Sequence, residues 1–197
     1  LFDSILLCGL SHESASVLTM FPKSQSDLMG YQPDQVDALL TRIKIQFEAA
    51  GRSLITSSIV SVSRFDLVPG GYQIMAVDNT LARLGDSLEA REVAERMLRF
   101  GKSPVLTQLN HLLFEIAQVL GKNPNERFSG QKNGYSKSQV AELMNSIRVN
   151  RGKLVSPLPL EVRTWSLGSA RSGVSRSEVN AFCDLVASAG HRQIALG

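Results

Sequence analysis

Residues 65–84 read FDLVPGGYQIMAVDNTLARL, and the frame of this segment recurs along the chain. Within it, Gly71 precedes Tyr72, and Val77 follows the tyrosine five residues later. All three tyrosines of the sequence stand in this frame, and a fourth copy has valine in place of tyrosine. The copies are Gly30, Tyr31 and Val36; Gly71, Tyr72 and Val77; Gly134, Tyr135 and Val140; and Gly173, Val174 and Val179. We interpret them as four repeats of one structural unit.

The residues after each glycine carry a helical pattern. Apolar residues stand six, ten and thirteen positions after the glycine, and steps of four and three place them on one face of a helix. After the valines, this face consists of Leu40, Leu81, Met144 and Cys183, and then Ile43, Leu84, Ile147 and Val186. Each repeat is therefore predicted to be a turn at the glycine followed by a short amphipathic helix.

The starts of these helices carry their own signals. Ser136 with Gln139, and Ser175 with Glu178, have the spacing of capping boxes, in which the two side chains bind backbone amides at the helix start. In the first copy, Pro33 belongs in the first turn, where proline is tolerated. The glycine is expected to supply a positive φ or a close backbone approach, and the tyrosine to fold back on its own helix.

A large apolar residue precedes each glycine-led turn. Phe65 and Phe128 stand seven residues before their tyrosines and Leu167 seven before Val174, whereas Phe21 stands ten before Tyr31. The first copy therefore has a loop three residues longer. Residues 53–65 are rich in β-branched side chains and could form a strand. A short helical turn upstream of Phe65 is favoured because it keeps the copies equivalent.

This pattern resembles the N-terminal domain of DivIVA. The residues that carry the resemblance are FPKSQSDLMGYQPDQVDALLTRI, starting at Phe21, and ITSSIVSVSRFDLVPGGYQIMAVDNTLARL, starting at Ile55, with Val-Asp at 36–37 and 77–78. It covers roughly residues 20–50, 54–90, 126–150 and 158–189. Four copies in one chain look like the actinobacterial DivIVA-domain repeat proteins, and the longer first loop is similar to the actinobacterial form of the domain.

The resemblance implies a cytoplasmic, membrane-associated scaffold of cell division or polar growth. In that family the tip just before the Gly-Tyr turn contacts the membrane, and a coiled coil follows. The corresponding pairs in this chain are Leu28-Met29, Pro69-Gly70, Lys132-Asn133 and Arg171-Ser172, and no run of heptads follows any copy. Leu28 and Met29 are the candidate apolar contact, and Lys132 and Arg171 the candidate basic contacts, with ordinary packing under the loop as the alternative for Leu28 and Met29.

Charge is distributed unevenly along the 197 residues. Residues 1–100 hold 9 basic and 12 acidic residues, a net −3, whereas residues 101–197 hold 12 and 6, a net +6. The basic half indicates either a solvated surface or a surface for an anionic partner such as lipid. Specific nucleic-acid recognition is not expected, because no helix-turn-helix and no aromatic RNA-binding strand accompanies the charge. Expected partners are a second copy of the chain, other division or growth proteins, and an anionic membrane surface.

The start of the sequence and its cysteines bear on the compartment. Cys8 and Cys183 are far apart and suit a reducing cytoplasm better than a disulfide framework. Apolar residues 5–10 lack a basic flank and make a poor signal peptide, and no stretch reaches the ~20 residues of a spanning helix. Residues 1–19 are expected to be a disordered extension, read from an upstream start, before the first repeat.

These features predict an all-α fold of short turn-helix repeats. Repeats 1 and 2 occupy residues 20–100, with a helical pattern that runs on from Met75 to Phe100 and is interrupted only by Gly85, as a kink or a helix end. A longer apolar connector helix follows at residues 101–121, after Gly101 as a helix cap, and repeats 3 and 4 occupy residues 122–197.

The sequence contains few groups that could carry out chemistry. His12, His111 and His191 are isolated and lack a second metal ligand at the usual spacing, so no metal and no cofactor are expected. Residues 168–173 lack the lysine of a phosphate-binding loop. Asp37 and Asp78 occupy equivalent repeat positions and are expected to face solvent or cap a helix. The chain is therefore predicted not to be an enzyme, and a soluble adaptor that uses the connector helix is the alternative to a membrane scaffold.

Overall fold

The computed structural model describes residues 21–48 and 55–197. The expectations for residues 1–19, including those for Cys8 and His12, lie outside these ranges. Helices and short strands alternate through the described residues. In chain order they are β1 (Met29–Tyr31), α1 (Pro33–Glu48), α2 (Ser57–Val62), β2 (Leu67–Pro69), α3 (Ile74–Phe100), α4 (Lys102–Gly121), a 3₁₀ turn (Pro124–Glu126), β3 (Gly130–Tyr135), α5 (Lys137–Ser146), β4 (Arg148–Asn150), β5 (Lys153–Val155), α6 (Pro159–Arg163), β6 (Ser169–Val174) and α7 (Arg176–Leu196).

The all-α prediction is wrong. Helix accounts for 63% of the described residues and strand for 15%, so the fold is mixed α/β. The strands form three two-stranded sheets, β1 with β2, β3 with β6, and β4 with β5. The glycine and tyrosine that were expected to form a turn lie instead in an extended segment. In this conformation the backbone N–H and C=O groups of one repeat can bond to those of another.

The longer helical predictions are confirmed. Helix α3 continues across Gly85, and Gly101 follows it with φ +76° and donates its N–H to the carbonyl of Met97. A positive φ favours glycine, and the bond to Met97 closes the last turn of the helix. Upstream of Phe65 the chain forms helix α2, capped by the Thr56 side chain, so the helical turn is correct and the strand alternative is wrong.

The described residues divide into two compact units. Unit 1 contains residues 21–48 together with Phe65–Val77, and unit 2 contains residues 55–64 together with Asp78–Gly197. Unit 1 holds Gly30 and Tyr31 of repeat 1 with Gly71 and Tyr72 of repeat 2, and unit 2 holds Gly134 and Tyr135 of repeat 3 with Gly173 and Val174 of repeat 4. Each unit therefore holds one pair of glycine-led segments.

All four repeat valines are buried. Val36, Val77 and Val179 are fully inaccessible and Val140 is 4% exposed. In unit 2, Val140 and Val179 belong to an apolar core with Leu113 and Ile116 of helix α4. Full burial of a valine side chain contributes roughly 1.5 kcal/mol or more, so the repeated valines help to fix each helix on its core. Cys183 is buried as well, and burial raises the pKa of its thiol to about 12.

Candidate functional site

In unit 1 the glycine-led segments of repeats 1 and 2 cross at close range. A Cβ placed on Gly30 would lie 2.5 Å from the carbonyl oxygen of Tyr72, and one placed on Gly71 would lie 2.5 Å from the carbonyl oxygen of Tyr31. Tyr31 and Tyr72 exchange two backbone hydrogen bonds at this point, of 2.9 and 2.8 Å. The glycines are therefore required because the two backbones pass where a side chain would collide.

Unit 2 repeats this crossing with Gly134 and Gly173. A Cβ on Gly134 would collide with the backbone carbonyl of Val174, and one on Gly173 would collide with that of Tyr135. The strand partners correspond as well: Tyr31 lies opposite Leu67 in unit 1, and Tyr135 opposite Ser169 in unit 2. Residue numbers rise along β3 as they fall along β6, from Gly130 opposite Val174 to Tyr135 opposite Ser169. The crossing is thus one structural motif used twice.

Each tyrosine of unit 1 packs on the other repeat. The ring of Tyr31 contacts that of Phe65, with centroids 5.2 Å apart, and the ring of Tyr72 contacts that of Phe21, with centroids 5.3 Å apart. Such tilted and edge-on contacts add roughly 0.5–1.5 kcal/mol to the burial of the rings. The expectation that a tyrosine folds back on its own helix is therefore wrong, because the crossing carries each ring to the paired repeat.

Asp37 does not face solvent as expected. Its Oδ2 accepts a 3.2 Å hydrogen bond from the Tyr72 hydroxyl, and its Oδ1 is buried without a hydrogen-bond partner among the described residues. Burial and the nearby Asp37 carboxylate raise the pKa of Tyr72. The neutral phenol is therefore the form that the folded unit favours.

In three of the four repeats, a side chain five residues after the glycine bonds to the backbone of the paired repeat. In repeat 1, Gln35 Oε1 accepts from the backbone N–H of Asp66 at 2.8 Å. In repeat 3, Gln139 Oε1 accepts from the N–H of Gly168 at 2.6 Å, and in repeat 4, Glu178 accepts from the N–H of Ser129 at 2.7 Å. In each case the donor is the residue after the large apolar residue of the paired repeat. We call these contacts the latches.

Repeat 2 lacks the latch on both sides of the contact. The donor position in repeat 1 is Pro22, which has no N–H, and the acceptor position in repeat 2 is Ala76, which has no side-chain oxygen.

The latches also correct the prediction of capping boxes. Ser175 does cap α7 by accepting from the N–H of Glu178, but the Glu178 carboxylate binds Ser129 instead of the start of its own helix.

Ser129 lowers the pKa of the Glu178 carboxyl group. Its backbone N–H and its hydroxyl both donate to Glu178 and lower the pKa of the carboxyl group. The charged form of Glu178 is therefore the one that binds across the repeats.

The crossing of unit 1 ends in an exposed apolar surface. Leu28 and Met29 are 53% and 56% exposed, and Met29 lies opposite Pro69 in the strand register. Leu67, on the same neighbouring strand, is 50% exposed. We call these four residues the apolar tip. The sequence singled out Leu28 and Met29 but missed Pro69 and Leu67, because only the strand pairing places Pro69 opposite Met29 and Leu67 two residues away on the same strand.

The corresponding surface of unit 2 is basic. Lys132 lies opposite Ser172, the neighbour of Arg171, and both cations are exposed. Arg176 is close by, with its guanidinium 5.1 Å from the centre of the Tyr135 ring and its Nε donating to the carbonyl of Asn133. We call Lys132, Arg171 and Arg176 the basic tip. The structure thus brings together the two basic candidates that the sequence placed in separate repeats.

A network of paired charges lies inside unit 2. The Arg163 guanidinium binds Asp86 at 3.0 Å, Glu89 at 2.5 Å and Asp184 at 3.2 Å. Arg192 binds the other oxygen of Glu89 at 3.0 Å. The Glu89 side chain is 8% exposed and that of Arg163 is 13% exposed, so these charges are largely removed from water. We call these residues, together with His191, the ionic network.

His191 is not isolated, in contrast to the prediction. Its Nε2 lies 2.7 Å from Asp86 Oδ1, and its side chain is 9% exposed. His111 also has a partner, Glu115, at 3.4 Å on the exposed face of α4. The sequence could not indicate the His191 contact, because the two residues are 105 positions apart.

The buried Glu89 of the ionic network is stabilised in its charged form by its neighbours. Burial alone would raise the pKa of Glu89, but hydrogen bonds from Ser188 and Arg163, with the Arg163 charge, lower it. The Glu89 carboxylate is thereby held ionised by Arg163 and Arg192, which is how a buried charge is accommodated. Within the described ranges, no group of three or more His, Cys, Asp or Glu residues is placed to hold a metal ion.

No described helix combines the length and apolar content needed to cross a bilayer. Comparison with family models, with curated proteins and with solved structures gave no match.

Proposed function

We propose that this protein is a non-enzymatic scaffold that resembles DivIVA-domain repeat proteins and acts at the cytoplasmic face of an actinobacterial membrane. Its role would lie in cell division or polar growth. The observation that supports this proposal most is the apolar tip, where Leu28 and Met29 stand more than half exposed at the end of a crossed strand pair. Exposed apolar side chains grouped on one surface are typical of interaction sites.

The apolar tip has the form of an insertion surface. Two short strands, locked together by the glycine crossing, carry Met29 and its partner Pro69 at one end, and Leu67 stands two residues before Pro69 on the second strand. Because the backbone around them is fixed, little conformational entropy is lost when these side chains enter an apolar phase. The favourable transfer of such groups from water is the driving force for shallow insertion at a membrane interface.

The basic tip supplies a second contribution for an anionic surface. Each Lys or Arg near an anionic leaflet contributes about 1 kcal/mol, so Lys132 and Arg171 favour negatively charged lipid over neutral lipid. Arg176 is held by Asn133 and Tyr135, which keeps its charge at the same place.

Vesicle sedimentation tests the proposal. The full chain is mixed with vesicles of phosphatidylglycerol or of phosphatidylcholine, and the bound fraction is measured. We expect the chain to bind the anionic vesicles. Leu28→Ser with Met29→Ser should weaken this binding roughly tenfold, because two apolar side chains no longer enter the membrane. Lys132→Glu with Arg171→Glu should weaken it by a similar factor, because the attraction to anionic lipid is lost. The matched control is Leu106→Ser with Phe114→Ser, which removes two exposed apolar residues from α4.

Two results would contradict the membrane proposal. One is the absence of binding to anionic vesicles at low ionic strength. The other is binding that the tip variants reduce no more than the α4 control. In cells, a fluorescently tagged chain should form septal or polar foci, and the Leu28→Ser, Met29→Ser variant should become diffuse.

A protein adaptor without membrane contact is the second candidate. The exposed Leu106 and Phe114 of helix α4 favour it, because an adaptor or a second copy of the chain could cover them. Light scattering after size exclusion tests the version with a second copy. A dimer that Leu106→Ser with Phe114→Ser converts to a monomer would support it, whereas a monomer at all concentrations would contradict it.

A further inference from the structure

Unit 2 contains a cleft that neither tip uses. The cleft has a volume of about 170 Å³ and lies between the 3₁₀ turn, strand β3 and helix α5. Its floor consists of apolar side chains that are almost fully buried, Phe128, Val140 and Met144. An apolar cavity of about 150 Å³ can hold a benzene ring, so this cleft has room for one aromatic or large aliphatic side chain.

A second, more open depression adjoins the cleft. It has a volume of about 570 Å³ and includes Arg148, and Arg127 and Met144 line both spaces. A ligand seated in the cleft could therefore extend past Arg127 into the open depression. A drug-sized ligand needs roughly 300–1,000 Å³ of enclosed space, so the small cleft suits a single side chain of a longer, extended ligand.

The charges around these two spaces have one sign. Lys137 lines the cleft, Arg148 lines the open depression, and Arg127 lines both. The described residues that line either space include no aspartate and no glutamate. A ligand that runs along both spaces would meet three cations and no compensating anion, which favours an acidic ligand and disfavours a basic one.

Arg127 is fixed in place for such a contact. Its Nε and Nη2 donate to the carbonyls of Lys122 and Leu120 at the end of helix α4. A guanidinium has five N–H donors, and these two bonds use two of them. The remaining donors belong to a side chain that is already ordered, so a carboxylate could bind with little further loss of side-chain entropy.

We propose that this cleft binds a short acidic segment of a partner protein through one large apolar side chain. The apolar side chain rests on Phe128 and Met144, and carboxylates on either side of it bind the cations of the rim. An apolar anchor in a pocket, surrounded by polar contacts, is the usual arrangement of a small recognition site. The inference is independent of the two tips, since none of the tip residues lines the cleft.

Fluorescence anisotropy with defined peptides tests this site. The probe is a fluorescein-labelled peptide of sequence Glu-Asp-Leu-Phe-Asp-Glu with an amidated end, titrated with the full chain at low ionic strength. The comparison peptide replaces the four acids by lysine. We expect saturable binding of the acidic peptide only, weakened when salt is added, because the contacts on the rim are charged.

Two kinds of variant separate charge from shape. Lys137→Glu with Arg148→Glu reverses two exposed rim charges, and Ala141→Trp fills the cleft from an exposed position of α5 while the cations remain. Each of these variants should bind the acidic peptide roughly tenfold more weakly, or worse, than the unaltered chain does. Controls with the same changes elsewhere in unit 2 are Arg99→Glu with Lys102→Glu, and Ala90→Trp, all at exposed positions.

Circular dichroism and the melting temperature establish that each variant folds. The proposal is overturned by an absence of saturable binding, by equal binding of the basic peptide, or by affinity that the cleft variants change no more than their controls do. It is also overturned in favour of a nucleic-acid site if a single-stranded oligo(dT) binds more tightly than the acidic peptide and the cleft variants abolish that binding.

Discussion

Tyr31 and Tyr72 stand at equivalent positions of two repeats and meet through a reciprocal pair of backbone hydrogen bonds, 2.9 and 2.8 Å long. Neither repeat has a complete set of backbone partners here without the other. The repeat that is visible along the sequence is therefore half of a structural unit, and the unit closes when two copies cross.

Replacement of a crossing glycine should destabilise its unit. A Cβ at Gly173 would meet the carbonyl carbon of Gly134 at 2.6 Å, a backbone atom that cannot move aside as a flexible side chain could. We expect Gly173→Ala to lower the free energy of unfolding by about 3 kcal/mol, measured by urea denaturation.

Gly121→Ala is the matched control for Gly173→Ala. Gly121 ends helix α4, and a Cβ there would have no heavy atom within 4 Å. This change should leave stability unchanged or raise it by a few tenths of a kcal/mol, because alanine is the better helix former. Equal effects of the two substitutions would show that the crossing is not as close as described.

The Glu178 latch should make part of the stability depend on pH. Bonds from Ser129 lower the pKa of Glu178, so the folded state prefers the carboxylate. The contribution is complete above the pKa of about 4.3 that an unfolded chain shows, and is lost as the pH falls through the lower folded value.

Denaturation midpoints at neutral and acidic pH measure this contribution. Glu178→Gln keeps an acceptor oxygen, as Gln139 has in repeat 3, and should reduce the loss of stability in acid. Glu142→Gln removes an exposed carboxylate from α5 and is the control. If the two variants show the same pH dependence, Glu178 does not act as a latch.

The missing latch of unit 1 can be added. Pro22→Ser restores an N–H at the donor position, and Ala76→Gln supplies the acceptor that Gln35 and Gln139 provide in their repeats. The change in the free energy of unfolding of the double variant should exceed the sum of the changes for the two single variants by about 1 kcal/mol, the usual net value of one hydrogen bond. A double-mutant cycle measured by thermal denaturation checks this coupling, and additive effects would contradict it.

The ionic network should be strongly coupled within unit 2. Arg163→Ala leaves Glu89 without one of its two arginines and should cost about 3 kcal/mol of stability. A double-mutant cycle between Arg163 and Glu89 should give a coupling energy of about 1–3 kcal/mol. The control cycle pairs Arg163 with Glu95, whose partner is Arg91 on the same helix, and should give almost none.

The sequence predicted the parts of the fold that depend on local pattern. The valines at a constant distance from each glycine, and the continuous helix across Gly85, follow from apolar spacing and helix propensity. The strands were missed because β1 and β2 have three residues each, and they are stabilised by pairing with a segment far away in the chain. A glycine at a backbone crossing also has the same sequence signature as a glycine in a turn.

The latches and the ionic network show why side-chain partners were harder to predict. Gln139 and Glu178 stand where a capping box would place them. Only the structure shows that their side-chain oxygens accept hydrogen bonds from the backbone of the paired repeat instead of from their own helix. Arg163 is 74 positions from Glu89, so no local spacing connects them. The apolar and basic candidates at the tips could be found because they directly precede the glycines, but their neighbours come from the other strand of each pair.

The glycine crossings also constrain how the chain can fold during its synthesis. Gly134 has no opposing backbone until Gly173 has been made, and the same holds for Gly30 until Gly71 has been made. Domains usually acquire structure in the order of their synthesis, from the N-terminal end. The later repeat of each pair must therefore be synthesised and leave the ribosome before the earlier repeat can complete its structure. Until then the earlier strand of the nascent chain exposes unpaired amide and carbonyl groups.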